Sequence, residues 1–470
     1  MNTQVINTSL VVIGGGPAGY SSAFRASDLG IDTILIEKES VLGGVCLNYG
    51  CIPSKALLHF SKFLEEYKEF TELKIFNKKL SFNLENIKRW KQNIISDMNN
   101  GLKILANKRN VQVIQGTASF IHKNKILVKK EDCNIELNYE NTIIASGSSP
   151  IKLPSLRNKI DKRIWYSTDA LKIPFIPSKM LIIGGGIIGL EMAIVYSSLG
   201  TEIDVIENSS MILPSSDLDV SSFFINSINK KFNLFLSTSI EKIKFLEKKI
   251  FVKINKNGKM YKNKYDVILV SIGRFPNTNL NLNNVNVDLD NRGFIKTNKQ
   301  CCTNIKNIFA VGDVTGNPML AHKGIYEGHI AAEVISGKNH FFDTNIIPNI
   351  CYTDPEVAWV GISEKEAIKS NIEYEKAVFP WIASGKARVS NAVNGMTKLI
   401  FNKNTKKIIG GSIVGRNAGE LLGEITLAIE MGCDISDISL TIHAHPTLYE
   451  SINSTSKIAE RTITDLINLK

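Results

Sequence analysis

The sequence predicts an α/β fold with two Rossmann-like domains and a C-terminal α+β domain. Three observations predict this fold: a glycine fingerprint near the N-terminus, a second copy of the fingerprint in mid-chain, and a change of pattern after Pro348. A length of 470 residues suits three or four domains. We place their boundaries at 1–150, 151–275, 276–347 and 348–470, with the third segment completing the site that the first one begins.

The first fingerprint is a strand, a glycine loop, a helix and a second strand. Leu10–Ile13 is the first strand, and the second strand ends at Glu37. The loop glycines are Gly14, Gly16 and Gly19. The first glycine permits a tight turn, the second lets the backbone approach a pyrophosphate, and the third lets the helix pack on the strand. The N-terminus of the helix then faces the phosphates with unpaired N–H groups.

The second fingerprint repeats this pattern with the same spacing. Its glycines are Gly184, Gly186 and Gly189, and its acid is Glu207, which follows the first glycine by 23 residues, as Glu37 does in the first copy. A carboxylate at this position binds the 2′-hydroxyl of an adenosine ribose and repels a 2′-phosphate. Both sites therefore favour FAD or NAD over NADP.

A cysteine pair follows the first fingerprint. Cys46 and Cys51 are five residues apart, which places them about 140° apart on an ideal helix. A bridge between them therefore needs a broken turn, which the neighbouring glycines can supply. A structural disulfide is the alternative, but so short a loop stabilises by only roughly 2 kcal/mol. The position beside a dinucleotide site favours a redox pair that passes two electrons through a flavin to a nicotinamide.

An acid–base element lies near the C-terminus. The segment Leu440–Asn453 contains His443, His445 and Glu450. Oxidation of a thiol needs a base, and histidine suits this task because its pKa is near 6.5. The two histidines point to opposite sides of an extended segment, so they have different tasks. Glu450 can orient one of them, and a packed structural histidine is the alternative. No metal site is expected.

With these motifs in this order, the chain resembles the flavin-dependent pyridine nucleotide–disulfide oxidoreductases over essentially its whole length. The most specific motifs are G-G-V-C-L-N-Y-G-C-I-P-S-K near the start and H-A-H-P-T-L-Y-E-S near the end. The resemblance implies an enzyme that oxidises protein-bound dihydrolipoamide to lipoamide through a Cys46–Cys51 disulfide and FAD, and that reduces NAD⁺ to NADH. It implies a component of bacterial 2-oxo acid dehydrogenase complexes, such as the pyruvate dehydrogenase complex, and leaves open which complex is served.

The resemblance also implies a role for each site residue. Substrate attacks Cys46, and Cys51 faces the flavin. Lys55 pairs with Glu191 on the nicotinamide side. His445 is the base, Glu450 orients it, and both serve the disulfide of the other subunit of a homodimer. The implied FAD contacts are Gly14, Gly16, Gly19, Glu37, Lys55, Gly116, Asp313 and Ala321, and the implied NAD contacts are Gly184, Gly186, Gly189, Glu207 and Gly273.

The resemblance further implies a C-terminal dimerisation domain and two kinds of partner domain. These are the lipoyl domains and the peripheral subunit-binding domain of an acyltransferase component.

Three other functions are alternatives to this one. A glutathione-type reductase uses NADPH, but Glu207-Asn208-Ser209-Ser210 offers an acid and no base. A soluble transhydrogenase lacks the complete thiol pair. A scaffold subunit has no use for the full set of reactive residues.

Composition excludes several other classes. The net charge of +11 comes from lysines scattered along the chain, without a basic stripe interleaved with aromatics, so no nucleic-acid partner is expected. The longest apolar runs are far shorter than the ~20 residues that cross a bilayer. Met1–Ser9 has neither a signal-peptide nor a transit-peptide pattern, so we expect a cytoplasmic protein. Seven cysteines, an odd number, argue against a secreted disulfide scaffold.

Overall fold

The computed structural model describes residues 3–78, 80–156, 159–344 and 346–467. The first domain is built on a seven-stranded sheet that is parallel at its centre. Six of its strands are β1 (Thr3–Ile13), β2 (Thr33–Glu37), β3 (Gln112–Gln115), β4 (Thr117–His122), β5 (Lys125–Lys129) and β6 (Asn134–Ile144), in the order β3-β2-β1-β6-β5-β4. A short strand, β7 (Ser148–Pro150), follows them.

Helices cover this sheet and carry the cysteines. They are α1 (Pro17–Asp28), α2 (Gly44–Tyr49), α3 (Cys51–Glu72) and α4 (Leu84–Lys108). Leu10, Val11 and Val12 of β1 are fully buried, as expected of a central parallel strand that is covered on both faces. The glycine loop after β1 therefore starts from a rigid position.

The second domain repeats the parallel sheet on a smaller scale. Its elements are β8 (Ile164–Trp165), α5 (Ser167–Lys172), β9 (Lys179–Ile183), α6 (Ile187–Ser198), β10 (Glu202–Ile206), α7 (Leu218–Ile228), β11 (Asn233–Phe235), β12 (Thr238–Phe245), β13 (Ile250–Lys256), β14 (Lys259–Tyr265) and β15 (Val267–Val270). The main sheet has the order β11-β10-β9-β15-β8, and β12–β14 form an antiparallel sheet that shares a core with it.

After the second domain, the chain returns to the first. The returning elements are β16 (Arg274–Pro276), β17 (Ile308–Ala310) and α8 (Ala321–Ile335). Strand β16 pairs with β7, and β17 pairs in parallel with β6, as the seventh strand of the first sheet. Helix α8 approaches α1 closely: a Cβ on Gly328 would lie 2.6 Å from the Ser22 Oγ. The first sheet is thus completed by residues far along the sequence.

The C-terminal domain is an antiparallel sheet with helices. Its elements are β18 (Asn349–Cys351), β19 (Glu356–Gly361), α9 (Glu364–Lys369), β20 (Tyr374–Pro380), α10 (Gly385–Val389), β21 (Met396–Asn402), β22 (Ile408–Gly415), α11 (Ala418–Met431), α12 (Ile435–Leu440) and α13 (Glu450–Glu460). The strand order is β18-β19-β22-β21-β20. Trp381 is fully buried in this core. Among the described residues, no helix is both long and apolar enough for a transmembrane span.

A buried ionic cluster joins the second and C-terminal domains. The Lys398 ammonium, on β21, is fully buried and lies 2.8 Å from Asp217, 2.7 Å from Asp219 and 2.5 Å from Glu364. Asp217 is the N-cap residue of α7, and Glu364 begins α9. Burial alone raises carboxyl pKa values, but the Lys398 and Lys376 ammonium groups hold those of Asp219 and Glu364 below their ordinary values.

We expect Lys398→Met to lower the thermal unfolding midpoint clearly, because it leaves carboxylates at a domain boundary without their shared cation. Breaking a buried ion pair in this way costs about 3–5 kcal/mol. The matched control is Lys376→Met, whose half-exposed ammonium touches two of the same carboxylates and contributes about 0–1 kcal/mol. Equal midpoints for the two variants, measured by calorimetry, would contradict this account.

Candidate active site

A cavity of about 2110 Å³ runs between the first two domains. Its walls include both glycine loops, both cysteines of the predicted pair, Lys55 and Glu191. Residues of the returning segment and of the C-terminal domain, among them Asp313, Ala321 and Tyr352, complete the lining. The structure therefore brings the two predicted dinucleotide sites and the predicted dithiol into one continuous space.

The first glycine loop uses each of its three glycines differently. Gly14 has a φ of +106°, and a Cβ there would lie 2.4 Å from the Ala145 carbonyl oxygen. A Cβ on Gly19 would lie 1.7 Å from the Gly14 carbonyl oxygen. By contrast, a Cβ on Gly16 would meet only one described atom within 4 Å, at 3.8 Å. Neighbouring backbone atoms leave no room for a side chain at the first and third glycines, whereas the second glycine faces the cavity.

The second loop has the same geometry. Gly184 has a φ of +108°, and its Cβ would lie 2.5 Å from the Ser271 carbonyl oxygen. A Cβ on Gly189 would lie 2.1 Å from the Gly184 carbonyl oxygen, and one on Gly186 would meet no described atom within 4 Å. Helices α1 and α6 both begin directly after the second glycine, without a side-chain cap. Their first N–H groups are therefore available to an anion.

The two acids at the strand ends hold the glycine loops. Glu37 accepts hydrogen bonds from the Gly15 N–H at 2.7 Å and the Glu39 N–H at 2.9 Å. Glu207 accepts the equivalent bonds from the Gly185 and Ser209 N–H groups, both at 2.8 Å. Each carboxylate oxygen can accept a further bond. The acids therefore shape the loops and still offer an acceptor to a ribose hydroxyl.

The cysteines lie on two helices with a break between them. Cys46 lies in α2, Cys51 begins α3, and Gly50 separates the helices with φ −141° and ψ −104°. Both side chains are free thiols in this structure. A hydrogen bond from the Cys46 thiol lowers the pKa of Cys51 to about 7, and the nearby Lys55 acts in the same direction. The hydrogen bond and burial raise the pKa of Cys46. Negative charge on Cys51 is therefore favoured both by the Cys46 thiol and by the Lys55 ammonium.

An ion pair joins α3, the helix that begins at Cys51, to the second domain. The Lys55 Nζ lies 3.0 Å from both carboxylate oxygens of Glu191, which is almost completely buried. Burial alone would lower the pKa of Lys55, but the Glu191 carboxylate more than compensates and raises it. The ammonium group therefore persists near Cys51. The structure brings together Cys46, Cys51, Lys55 and Glu191, and the contact between Lys55 and Glu191 is the one that the family resemblance implies.

Asp313, which was predicted as a site residue, belongs to a hydrogen-bonded group with Ser148 and Arg274, which were not. The Ser148 Oγ donates to the Asp313 Oδ2 at 2.5 Å, and Arg274 donates from its Nε to the Ser148 Oγ at 2.7 Å. Burial lowers the pKa of Arg274. Arg274 was not among the predicted site residues, although it directly follows Gly273, one of the predicted contacts. Gly273 has a φ of +119° and also lines the cavity.

Gly116 and Ala321 also line the cavity, and a buried ion pair lies in the same helix as Ala321. The Gly116 N–H donates to the Glu37 carbonyl at 2.9 Å, and Ala321 begins α8. Within α8, Lys323 and Glu327 lie 2.8 Å apart, both almost completely buried, and Glu327 accepts the Gly312 N–H at 2.7 Å. This ion pair was not among the predicted site residues. The sequence feature that indicates it is the spacing of four residues between opposite charges on one helix.

The C-terminal histidines have different environments. The His445 Nδ1 lies 2.9 Å from the Glu450 Oε1, and its side chain is 77% exposed. The His443 side chain is only 3% exposed and contacts Glu424 at 2.8 Å. Within the part of the chain that the structure describes, His445 and Glu450 do not line the dithiol cavity. The pairing of His445 with Glu450 agrees with the prediction, but one copy of the chain does not bring this pair to its own cysteines.

Comparison with known proteins identifies the class. The sequence model of the pyridine nucleotide-disulphide oxidoreductases matches residues 8–328, and that of their dimerisation domain matches residues 347–456. The chain belongs to the pyridine nucleotide-disulphide oxidoreductase family and is an oxidoreductase, which confirms the predicted family. The C-terminal domain is its dimerisation domain, so the predicted fold class is confirmed as well.

Two relatives that match the whole chain have the same name. Dihydrolipoyl dehydrogenase of Buchnera aphidicola subsp. Acyrthosiphon pisum is 53% identical over 100% of this chain and 99% of the relative. The Vibrio cholerae protein of that name is 52% identical, with the same coverage. Among solved structures, the HOCl-induced flavoprotein disulfide reductase RclA from Escherichia coli has a TM-score of 0.86 and 25% identity, over 96% of this chain and 99% of that one.

FAD and NAD are the cofactors of this family, and the residues present fit them. The two cradles have uncapped helix N-termini and second glycines that open onto the cavity. Both features suit a pyrophosphate that approaches the backbone closely. Each cradle also has a carboxylate at the end of its second strand and no basic side chain directly after Glu207. The predicted cofactors are therefore confirmed.

We expect Gly186→Ala to weaken NAD⁺ binding without destabilising the fold, because its Cβ meets no described atom and projects toward the cavity. The KM for NAD⁺ should rise tenfold or more, equivalent to about 1.4 kcal/mol. The matched control is Gly101→Ala on α4, which also meets no described atom within 4 Å. Steady-state kinetics and thermal melting measure the two effects. An unchanged KM in the Gly186 variant would show that this glycine does not face the dinucleotide.

Proposed function

We propose that the chain is a dihydrolipoyl dehydrogenase, which oxidises protein-bound dihydrolipoamide and reduces NAD⁺. The observation that carries this proposal is the continuous cavity. In it, a dithiol and the ion pair between Lys55 and the buried Glu191 lie between two dinucleotide cradles. Identity of 53% over the full length to a protein of that name supports the same conclusion.

The proposed thiol chemistry starts from the Cys46–Cys51 disulfide. One substrate thiolate attacks the Sγ of Cys46, and Cys51 leaves as a thiolate. The second substrate sulfur then attacks the sulfur bound to Cys46, which closes the lipoamide ring and releases Cys46 as a thiol. The low pKa of Cys51 makes it the better leaving group. Bound FAD supplies the two-electron chemistry that connects this dithiol to NAD⁺.

Lys55 and Glu191 together maintain a positive charge near Cys51. The Lys55 ammonium stabilises negative charge on Cys51, and the Glu191 carboxylate keeps that ammonium charged and in place. The remaining proposed FAD residues are the glycines of the first loop, Glu37, Gly116, Asp313 and Ala321. The proposed NAD residues are the glycines of the second loop, Glu207 and Gly273.

We assign the substrate base to a second copy of the chain. His445 is exposed, its Nδ1 faces Glu450, and its Nε2 is available to a thiol. The dimerisation domain supports a homodimer. In this dimer, His445 of one subunit takes the substrate proton beside Cys46 of the other, and Glu450 fixes the orientation of the imidazole. A single subunit would then be inactive.

The proposed function also implies partner domains, a location and a role for each domain. The partners would be lipoyl domains, which deliver the substrate, and the peripheral subunit-binding domain of an acyltransferase in a 2-oxo acid dehydrogenase complex. The location would be the cytoplasm. The domains would be FAD-binding (1–150), NAD-binding (151–275), a central segment completing the FAD site (276–347) and dimerisation (348–470).

A paired assay tests the proposal. We expect the purified yellow protein to form NADH rapidly from dihydrolipoamide and NAD⁺, and to reduce glutathione disulfide with NADPH very poorly. Cys46→Ser should abolish dihydrolipoamide oxidation, and the matched control Cys433→Ser, outside the cavity lining, should retain it. Activity in the glutathione arm alone would contradict both the substrate and the Glu207 argument.

A further inference from the structure

Tyr352 connects the dimerisation domain to the dithiol. It directly follows β18, and its ring lies over the Lys55 ammonium, with 4.5 Å between the Nζ and the ring centroid. Its backbone N–H donates to the Glu191 Oε1 at 3.2 Å. Lys55 comes from the first domain and Glu191 from the second. Residues from all three domains therefore meet at one ion pair.

The Tyr352 ring is a further contact of an ammonium that already makes three hydrogen bonds. Lys55 has hydrogen bonds to both oxygens of Glu191 at 3.0 Å and to the Ser54 Oγ at 3.1 Å. A lysine ammonium ends a flexible chain of four carbons, so such contacts decide where its charge lies. The electron-rich face of an aromatic ring attracts a cation. The Tyr352 ring is therefore one of the contacts that hold the Lys55 ammonium, whose charge also acts on Cys51.

We propose that Tyr352 is a positioning residue, whose ring holds the Lys55 ammonium where it stabilises negative charge on Cys51. The dimerisation domain would thereby contribute to the redox centre within its own subunit, in addition to the His445 that it would supply to the partner. The proposal deepens the function proposed above, although its main test does not use the substrate.

The ring matters in this role, and the hydroxyl does not. Among the residues that the structure describes, the Tyr352 hydroxyl has no hydrogen-bond partner, whereas its ring faces Lys55. Burial raises the pKa of Tyr352, so the phenol stays neutral at physiological pH. Phenylalanine keeps the aromatic face and should therefore replace tyrosine without loss.

The charged state of Cys51 reports the position of Lys55. A hydrogen bond from Cys46 has the largest effect on the pKa of Cys51, Lys55 lowers this pKa and Glu191 raises it. Tyr20 and Arg274 also interact electrostatically with Cys51. None of these other groups changes when Tyr352 is replaced. A displaced Lys55 should therefore raise the pH at which Cys51 becomes a thiolate, and so becomes reactive toward an alkylating reagent.

The test is the pH dependence of iodoacetamide labelling at Cys51 in reduced holoenzyme, followed by mass spectrometry. In Tyr352→Leu, we expect the midpoint to rise by roughly half a pH unit or more, with kcat reduced and the KM for dihydrolipoamide little changed. Tyr352→Phe should match the wild type. The matched control is Tyr326→Leu on α8, where the tyrosine is 66% exposed and the midpoint should not move.

Each outcome decides the question. A wild-type midpoint in Tyr352→Leu, or an equal shift in Tyr352→Phe, would overturn the proposal. Tyr352→Met is the second variant if the leucine protein does not retain flavin. If neither folds while the phenylalanine variant does, the ring is structural and the positioning role is wrong. A labelling shift without dihydrolipoamide activity in the wild type would retain the positioning role and reject the proposed substrate.

Discussion

The arrangement of the redox centre depends on the ion pair between Lys55 and Glu191. It spans the boundary between two domains at 3.0 Å, and Glu191 is 3% exposed. Removing Lys55 would leave the buried Glu191 carboxylate without compensation, which is strongly unfavourable. Because Glu191 also accepts the Tyr352 N–H, the same carboxylate ties the third domain to this point. The pair therefore fixes the domains around the cavity and places a positive charge beside the dithiol.

The two glycine loops show how one motif can serve two sites. Their first and third glycines are confined by nearly the same backbone contacts, and their acids accept equivalent hydrogen bonds. The neighbouring chain differs. Gly44, the first residue of α2, lies so close to the first loop that its Cβ would be 2.6 Å from the Gly16 Cα. This contact places the cysteines beside the first cradle, and the second cradle has no such neighbour among the described residues.

Much of this site could be predicted from sequence because its main parts are local. The glycine loops, the acids that follow them, the Cys46–Cys51 spacing and the His445–Glu450 pair each lie within one short segment. Arg274 and Tyr352 could not be found in this way, because their meaning depends on Ser148 and Lys55, far away in the chain. The pairing of β17 with β6 could not be found in this way either, because β17 is only three residues long and β6 lies far away in the chain.

The central claim is that one reaction centre uses cysteines of one subunit and a histidine of its partner. The direct test is the activity of a purified heterodimer with Cys46→Ser in one subunit and His445→Gln in the other. Each homodimer variant should be inactive, whereas the heterodimer contains one site with both residues intact. We predict about half of the wild-type activity, as two-fold symmetry requires. A heterodimer no more active than the two homodimers would contradict the account, because it would place both residues in the same subunit's site.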